Sequence, residues 1–358
     1  MELIDTSYEK VKVLEQVSKI IEETTFKLDY KIVDETYIDE IVSFINKNYF
    51  EKDGDTALIY SRELIKYYLI DSIPIFFTQK NKPDKIIAFI IGKYIDLIGF
   101  NKKLGAVEGN FFCIVPQLRH MKLGRLLKAY FMRESIKKYI VNHELHLAYY
   151  TTSYKVNCEP MCQKRYIHRT INYDILQKYG IVKDTNYSSM YKKIYSKFEY
   201  PENFKHFKIN RKIDSDKIEE ITNKLNHYQR NNFDIYENVS TNIINNINNS
   251  DAYIKFVIMN ENNIEAFISF YILNIKKNDN IIKTIYLHYY YANGNIVDYL
   301  EYVGEYMKEH NLCDMFLTHL FDDNLPKRYF QGNGKLYYNL INIKDFTIKE
   351  QRLHLVMI

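Results

Sequence analysis

The sequence predicts an α/β chain made of two similar units. Its 358 residues exceed what one hydrophobic core usually fills, and 46% of them are hydrophobic, which is ample for burial. Apolar patterns of strand and helix period alternate along the chain, and both parts place several strands around one long helix. We therefore expect a duplicated fold, with one unit over residues 1–183 and a second over residues 184–358.

The elements of the first unit follow from apolar spacing and β-branched content. Helices are predicted over 6–24, 37–49 and 61–70, the last with Ser61 as its N-cap. Strands are predicted over 28–33, 73–78, 86–94 and 103–115. A long helix from Leu123, a strand over 146–152, an irregular stretch over 153–164 and a short helix over 174–179 complete the unit.

The second unit begins after a strand-like connector over 188–198. Strands are predicted over 205–209, 252–259, 266–273, 281–290, 315–319, 334–343 and 353–358. Helices are predicted over 214–225, 239–248 and 295–309.

The composition excludes several classes of protein. A net charge of +4 with 26% charged residues does not indicate a nucleic-acid binder. Four cysteines do not make a disulfide scaffold, and the amino-terminal residues lack an apolar signal core. The most apolar run, over 85–100, is broken by Lys93 and Asp96, so no transmembrane segment is expected. These features predict a cytoplasmic protein, which we expect to be a monomer.

Residues 107–128, VEGNFFCIVPQLRHMKLGRLLK, predict a strand, a basic turn and a helix start. The first N–H groups of a helix have no intrahelical partner, and the helix dipole favours negative charge there. Arg119 and Lys122 add positive charge, and Gly124 would let a phosphate approach the backbone. The pattern is typical of an anion-binding turn, but an ordinary strand–helix connection with solvated basic residues fits these residues equally well.

The pattern R-x-x-K-x-G over 119–124 resembles the pyrophosphate turn of the coenzyme A-dependent acyltransferases of the acetyltransferase superfamily. Most members prefer glycine where Lys122 stands, but the N-myristoyltransferases prefer a basic residue there. The signature of that family resembles Asn110-Phe111-Phe112-Cys113-Ile114 followed by Leu118-Arg119-His120-Met121-Lys122-Leu123-Gly124. Further matches, in the family's order, are Ala148-Tyr149-Tyr150-Thr151, Arg165-Tyr166-Ile167-His168-Arg169, Gly332-Asn333-Gly334-Lys335-Leu336-Tyr337-Tyr338 and the apolar stretch over 353–358.

This resemblance implies a tandem acetyltransferase-like (GNAT) fold, with a continuous mixed β-sheet flanked by helices. It also implies myristoyl-CoA as the acyl donor, bound by the first unit. The implied donor-binding residues are Phe111, Phe112, Cys113, Ile114, Arg119, His120, Met121, Lys122, Leu123, Gly124, Arg125 and Leu126. No metal is expected, because a thioester is already activated and the group Cys158-x3-Cys162-x5-His168 lacks a fourth ligand.

The resemblance assigns catalysis to few groups. The carboxylate of the last residue, Ile358, would accept the proton of the substrate's N-terminal glycine. The apolar residues before it prefer burial, and a buried carboxylate is expensive unless it has a partner or a task. The backbone amides of Phe111 and Phe112 would form the oxyanion hole, and Asn110 and Thr151 would hold the incoming amine.

The implied partners are proteins that begin with glycine, and most of their binding site lies in the second unit. The implied peptide-binding residues are Tyr49, Glu51, Asp53, Asp55, Tyr60, His168, Gly332, Asn333 and Gly334. Asn333 stands where the family has aspartate.

Simpler interpretations of the same residues exist. Arg165 and Arg169 are typical of ion pairs, His168 of a structural histidine, and the pair Gly332 and Gly334 of a turn. Two other functions also fit the sequence. One is a CoA-dependent amine acyltransferase with a shorter donor, and the other is an inactive module that binds acyl-CoA or protein N-termini.

Overall fold

The computed structural model describes residues 6–22, 28–49, 56–99, 102–139, 145–156, 159–182, 185–319, 325–326, 328–341 and 347–355. The helices in these parts are α1 (Thr6–Glu22), α2 (Ile38–Asn48), α3 (Arg62–Leu69), α4 (Leu123–Tyr139), α5 (Tyr173–Lys178), α6 (Ser188–Tyr195), α7 (Ile218–Asn232), α8 (Thr241–Asn249) and α9 (Ile296–Glu309). Several begin at a capping side chain: Ser61 accepts the Leu64 N–H at 3.1 Å, and Ser240 accepts that of Ile243 at 3.4 Å.

The strands are β1 (Leu28–Ile32), β2 (Thr56–Ile59), β3 (Ser72–Gln79), β4 (Lys82–Gly99), β5 (Lys102–Ile114), β6 (Leu145–Thr152), β7 (Cys162–Thr170), β8 (Lys208–Asn210), β9 (Ile235–Glu237), β10 (Tyr253–Asn260), β11 (Asn263–Ile272), β12 (Asn274–Lys277), β13 (Asn280–Ile282), β14 (Thr284–Ala292), β15 (Met315–Thr318), β16 (Tyr329–Ile341) and β17 (Leu353–His354). Most of the predicted elements are confirmed within a few residues.

Some predictions of local structure are wrong. Residues 188–198 are not strand-like, because Ser188–Tyr195 forms α6. The stretch over 153–164 is not irregular throughout, since β7 begins at Cys162. Gly332 and Gly334 do not form a turn, because they lie within β16. In the last predicted strand, only Leu353 and His354 pair as β17, and residues 356–358 lie outside the described residues.

One large sheet runs through the molecule in the order β1-β3-β4-β5-β6-β16-β7-β15-β14-β11-β10-β8. Each end of this sheet has four antiparallel strands followed by a parallel pair: β5 with β6 at one end and β14 with β15 at the other. A long helix joins the members of each parallel pair, α4 in the first and α9 in the second. The predicted duplication and the continuous mixed sheet are therefore confirmed.

The two halves exchange strands at the centre of the sheet. β16, late in the chain, pairs with β6, whereas β7, from the earlier part, pairs with β15. β7 and β16 also pair with each other, and β9 adds a further link by pairing with β4. The predicted boundary at residues 183 and 184 lies outside the described residues and stays a prediction.

A buried ion pair fixes β7 to the second long helix. Arg169 is fully buried and donates to Glu301 of α9 at 2.9 Å. The same carboxylate accepts from Arg328 at 2.6 Å. Removing one member would leave an uncompensated buried charge, which typically costs about 3–5 kcal/mol. Arg169 is therefore an ion-pair residue, as the simpler interpretation predicts.

Candidate active site

A cleft opens where β5 and β6 stop pairing. Their parallel register runs from Gly105–Leu145 to Glu108–Tyr149, but β5 continues to Ile114 and β6 to Thr152. Beyond the last pair, β5 remains paired with β4 on its other side, and β6 with β16. Among the described residues, no other strand pairs with the facing edges of β5 and β6 beyond that point.

Asn110 and Thr151 stand on the two sides of this cleft. Each lies two residues beyond the last pair, Glu108 and Tyr149, so both side chains occupy the same level and the same face of the sheet. Asn110 is buried and Thr151 is half-buried. The two residues predicted to hold the substrate amine therefore lie on neighbouring strands, just beyond the last paired positions.

The backbone of β5 is kinked at Phe111. Its φ is +54°, and the β4 register shifts between Phe89 and Ile91 opposite this point. A left-handed conformation costs a non-glycine residue about 1–2 kcal/mol. The buried Phe111 ring offsets this cost by packing against Tyr49, Tyr60 and Tyr68, with centroid distances of 5.6, 5.4 and 5.5 Å. Such a bulge interrupts the alternation of N–H directions along a strand.

The turn between β5 and α4 ends at Lys122, whose φ is +58°. Glycine adopts this conformation without strain, which explains why most members of the superfamily have glycine here. Lys122 and Arg125 are exposed beside the first turn of α4, and that turn contains no acidic residue. Positive charge therefore surrounds a helix N-terminus, as an anion site requires.

The other predicted donor-binding residues have mixed roles. Arg119 donates to the Asn48 carbonyl at 2.9 Å and to the Ile114 carbonyl at 3.2 Å, so it ties α2 to the end of β5. Leu123 and Leu126 pack in the core beneath the sheet. The remaining side chains range from exposed, as in Phe112, His120 and Met121, to buried, as in Cys113 and Ile114. A Cβ on Gly124 would lie 3.1 Å from the Phe112 ring, so close packing also favours glycine there.

Two of the predicted peptide-binding residues lie beside this cleft. Tyr49 and Tyr60 contact each other, with ring centroids 5.6 Å apart, and both contact Phe111. Asn46 fixes Tyr60 by donating to its carbonyl at 2.9 Å and accepting its N–H at 2.8 Å. Glu51, Asp53 and Asp55 lie outside the described residues.

His168 and the glycine pair come together on β7 and β16. The register of these strands shifts between Gln331 and Lys335, so residues 332–334 form a bulge. A Cβ on Gly332 would lie 2.4 Å from His168 Nε2, so any larger residue at this position would force the His168 ring to move. Burial lowers the pKa of His168 to about 4, so its imidazole is neutral at pH 7. The side chain of Asn333 is not among those described.

Sequence reasoning missed a charged cluster beside Asn110. The Asn110 amide nitrogen donates to Glu108 Oε1 at 2.7 Å, so this carboxyl group fixes the orientation of the Asn110 side chain. Burial and the nearby Glu237 carboxylate raise the pKa of Glu108 to about 7, although Lys93, Asn110 and Tyr149 oppose the shift. The signal in the sequence was a carboxylate within an apolar strand, on the same face as Asn110.

The residues before the chain end reach this region. Leu353 and His354 pair in parallel with Ile235 and Tyr236, and Leu355 is buried. The Tyr338 hydroxyl donates to the Leu355 carbonyl at 2.9 Å. Tyr338 is also the register partner of Thr151 across β6 and β16, so the two side chains are neighbours on one face. Leu355 thus lies next to the cleft, while Ile358 lies outside the described residues.

Comparison with known proteins agrees with this architecture. The family model for the myristoyl-CoA:protein N-myristoyltransferase N-terminal domain matches residues 3–162. A protein of Acanthamoeba polyphaga mimivirus named "Putative glycylpeptide N-tetradecanoyltransferase" is 27% identical over 176 residues. That alignment covers 46% of this chain and 46% of the relative, so it spans less than half of either protein.

Solved structures extend the likeness to nearly the whole fold. The Saccharomyces cerevisiae N-myristoyltransferase with bound myristoyl-CoA superposes with a TM-score of 0.79 at 19% identity, over 93% of this chain and 90% of that one. A GCN5-related N-acetyltransferase from Anabaena variabilis gives a TM-score of 0.51 at 10% identity, over 88% and 72%. The fold is thus that of the acetyltransferase-like proteins. Within that class, residues 3–162 match the N-terminal domain of the N-myristoyltransferases, and the likeness to the yeast enzyme extends the shared fold to most of the chain.

No helix among the described residues is both long and apolar enough to cross a membrane.

Proposed function

We propose that this protein transfers myristate from myristoyl-CoA to the α-amine of an N-terminal glycine in other proteins. One observation carries the proposal. The Leu355 carbonyl accepts from Tyr338, the register partner of Thr151, and Thr151 and Asn110 each lie two residues beyond the last β5–β6 pair. Amine-holding groups, a strand edge suited to a thioester and the approach to the chain end therefore meet at one place.

The cleft in the first half takes the acyl donor. Exposed Lys122 and Arg125 flank the start of α4, where the CoA phosphates would lie. The free edge of β5 suits the pantetheine arm, which carries amide groups. Each buried CH₂ of the acyl chain contributes about 0.8 kcal/mol, so pocket depth can select a chain length.

The reaction forms a C–N bond and breaks the C–S bond of the thioester, and the amine proton must be removed. Amides of Phe111 and Phe112 at the bulge stabilise the negative charge that develops on the carbonyl oxygen. Losing one such donor typically costs about 10²–10³ in rate. Substituting the Phe111 side chain would leave its amide in place.

The base is the carboxylate of Ile358, and Asn110 and Thr151 orient the amine toward it. In water the amine has a pKa of about 7.7–8.0 and a terminal carboxyl about 3.3–3.7, so proton transfer is uphill by roughly 4 units. Burial raises the pKa of a carboxyl and lowers that of an amine, which narrows this difference. The described segment ending at Leu355 is buried, and this supports a low-dielectric site.

The peptide lies along Tyr49, Tyr60, His168 and the bulge over 332–334. The neutral imidazole of His168 suits an uncharged hydrogen bond to the peptide. Glu51, Asp53 and Asp55 are proposed as further peptide contacts, and a cytoplasmic location and a monomeric state remain predictions from the sequence.

Incubation of a peptide that begins with glycine with the protein and myristoyl-CoA tests this proposal. Intact-mass analysis should show addition of one C14 acyl group, and a matched peptide that begins with alanine should stay unmodified. Acetyl-CoA should be a much poorer donor, because the acyl slot would be empty. A preference for acetyl-CoA would identify the shorter-donor enzyme, and tight acyl-CoA binding without transfer would identify the inactive binding module.

A further inference from the structure

A lysine holds the segment that leads to the chain end. Lys164 of β7 is buried, and its ammonium donates to the Leu353 carbonyl at 2.5 Å. Two residues further along the same segment, the Leu355 carbonyl accepts from the Tyr338 hydroxyl of β16 at 2.9 Å. Lys164 and Tyr338, which lie on paired strands, thus bind alternate carbonyls of the same segment.

Burying this lysine is unfavourable for the fold. Burial lowers the pKa of Lys164 to about 8, although the Cys162 thiol and the Glu350 carboxylate oppose the shift. At pH 7 the ammonium is charged in both folded and unfolded states, so its desolvation opposes folding. The hydrogen bond to the Leu353 carbonyl offsets part of this cost. The fold therefore gains little net stability from a lysine at this position.

The position of Lys164 gives a different reason. Lys164, Tyr166 and His168 alternate along one face of β7, and His168 contacts the glycine bulge of the predicted peptide site. Burial lowers the pKa of His319, and the nearby Lys164 and His168 side chains lower it further. The Nδ1 atom of His319 lies 3.2 Å from the Tyr338 hydroxyl. The two donors and the peptide site are thus parts of one connected surface.

We propose that Lys164 and Tyr338 form a clamp that aligns residues 353–355 and so sets the direction in which the chain leaves Leu355. Both are positioning residues, because they act through the segment they hold. The inference rests on the proposed function only for its catalytic consequence, since clamping itself requires no transfer.

Digestion of the full chain with a carboxypeptidase tests the clamp without any acyl transfer. Intact-mass analysis over time should show the native chain keeping Ile358 and Met357, while Lys164→Met loses them at least tenfold faster. Tyr338→Phe, which removes one hydroxyl, should also be digested faster. Lys255→Met is the matched control, because Lys255 is half-buried and donates to a helix-end carbonyl, that of Asn248, at 2.7 Å in another part of the fold.

Kinetics and stability separate positioning from a general structural role. Lys164→Met should lower kcat by about 10²-fold, as misplacement of a reacting group by about 1 Å does, with an unchanged KM for myristoyl-CoA. Its unfolding midpoint in urea should equal or exceed that of the native chain. A structural lysine would instead lose stability and activity together.

The outcomes are distinguishable. Equal digestion of Lys164→Met and the native chain would overturn the clamp, as would rapid digestion of the native chain. Digestion that depends on Lys164 in a protein that transfers no myristate would leave the clamp standing and overturn the proposed function.

Discussion

The two halves of the sheet share a strand order but differ where their parallel strands stop pairing. In the first half, β5 continues past its last partner as an open edge, and Phe112 is 37% exposed there. In the second half, β14 continues past Tyr286, and every residue of that strand is buried. His288 packs near Tyr253, and Tyr290 packs against His354. Aromatic rings therefore surround the part of β14 that continues beyond its last pair with β15.

The two long helices differ in the same sense. α9 begins at Asn295, whose side chain accepts the Val297 N–H at 3.1 Å, and Asp298 adds negative charge to its first turn. α4 begins after the left-handed Lys122 and has no acid in its first turn. α9 therefore satisfies one of its first N–H groups with its own capping side chain, whereas the start of α4 has basic residues beside it and no acidic residue in its first turn. One half of the duplicated fold therefore has a basic helix start beside an exposed strand residue, whereas the other half has a buried strand and a capped helix in the corresponding places.

The largest expected effect concerns the proposed base, the carboxylate of Ile358. Appending several residues after Ile358, or deleting Met357 and Ile358, should abolish myristate transfer, because the base would be displaced or removed. Binding of myristoyl-CoA should persist, because the first cleft is unchanged. Single-turnover assays beside calorimetric binding measure the two effects, and the same extension placed before Met1 is the control. Normal turnover in the extended chain would place the base elsewhere.

The second test makes α4 resemble α9. Lys122→Asp places a carboxylate at the helix start, at a φ that aspartate tolerates. The KM for myristoyl-CoA should rise by about 10–100-fold, since losing a charged hydrogen bond costs about 1.5–3 kcal/mol. Lys122→Gly, which suits the same φ, should have a smaller effect, and Asp298→Asn in α9 none. An unchanged KM in Lys122→Asp would contradict the assignment of the anion site to α4.

The third test concerns the proposed peptide site on β7 and β16. Gly332→Ala should raise the KM for peptide by about tenfold. The new methyl group would lie 2.4 Å from the present position of His168 Nε2, so it would displace the His168 ring. Gly334→Ala is the matched control in the same bulge, since its Cβ would meet the Tyr166 ring at an ordinary 3.5 Å. Steady-state kinetics at saturating myristoyl-CoA measure both. Equal effects of the two substitutions on the KM for peptide would show that His168 does not contribute to peptide binding.

The smallest effect concerns the charged cluster at the open cleft. Glu108 faces Lys93 from β4, Asn110 from its own strand, Tyr149 from β6, Glu237 from β9 and Tyr68 from α3. Its pKa rises from 4.5 to about 7, so the folded chain holds a proton that the unfolded chain releases, and stability falls as pH rises through 7.

Glu108→Gln removes this penalty. Relative to the native chain, it should gain up to about 3 kcal/mol in unfolding free energy at pH 8 but little at pH 4. Its kcat should fall only several-fold, since glutamine can still accept from the Asn110 amide. Urea titrations at the two pH values measure the stability, and a difference independent of pH would show that Glu108 does not titrate as proposed.

Periodicity predicted most of this fold because long elements carry many consistent residues. α4 and α9 each bury one apolar face, and β10 and β14 are rich in β-branched and aromatic residues. α6 was missed, although Tyr187, Met190, Tyr191 and Ile194 recur at helical spacing, because its aromatic content favours a strand. β9 and β12 were missed because such short strands depend on distant partners.

The site was predictable only where a signature spans neighbouring residues. Asn110 and Phe111 lie in one strand, and the turn to Lys122 follows directly. The opposition of Asn110 and Thr151 depends on a parallel register across a helix connection. The contacts of Lys164 with Leu353 and of Glu108 with Glu237 join residues more than a hundred positions apart, which spacing in sequence does not reveal.

The exchange of β7 and β16 has a consequence for how such a protein can be divided. A break in the chain near residue 183 would strip β6 of its outer neighbour and leave β7 without a sheet of its own. Exposed strand edges present unpaired backbone groups that can pair with other chains. The isolated fragments should therefore aggregate or associate with each other instead of folding as monomers. Although the two halves share a strand order, the exchanged strands should prevent them from folding as separate modules.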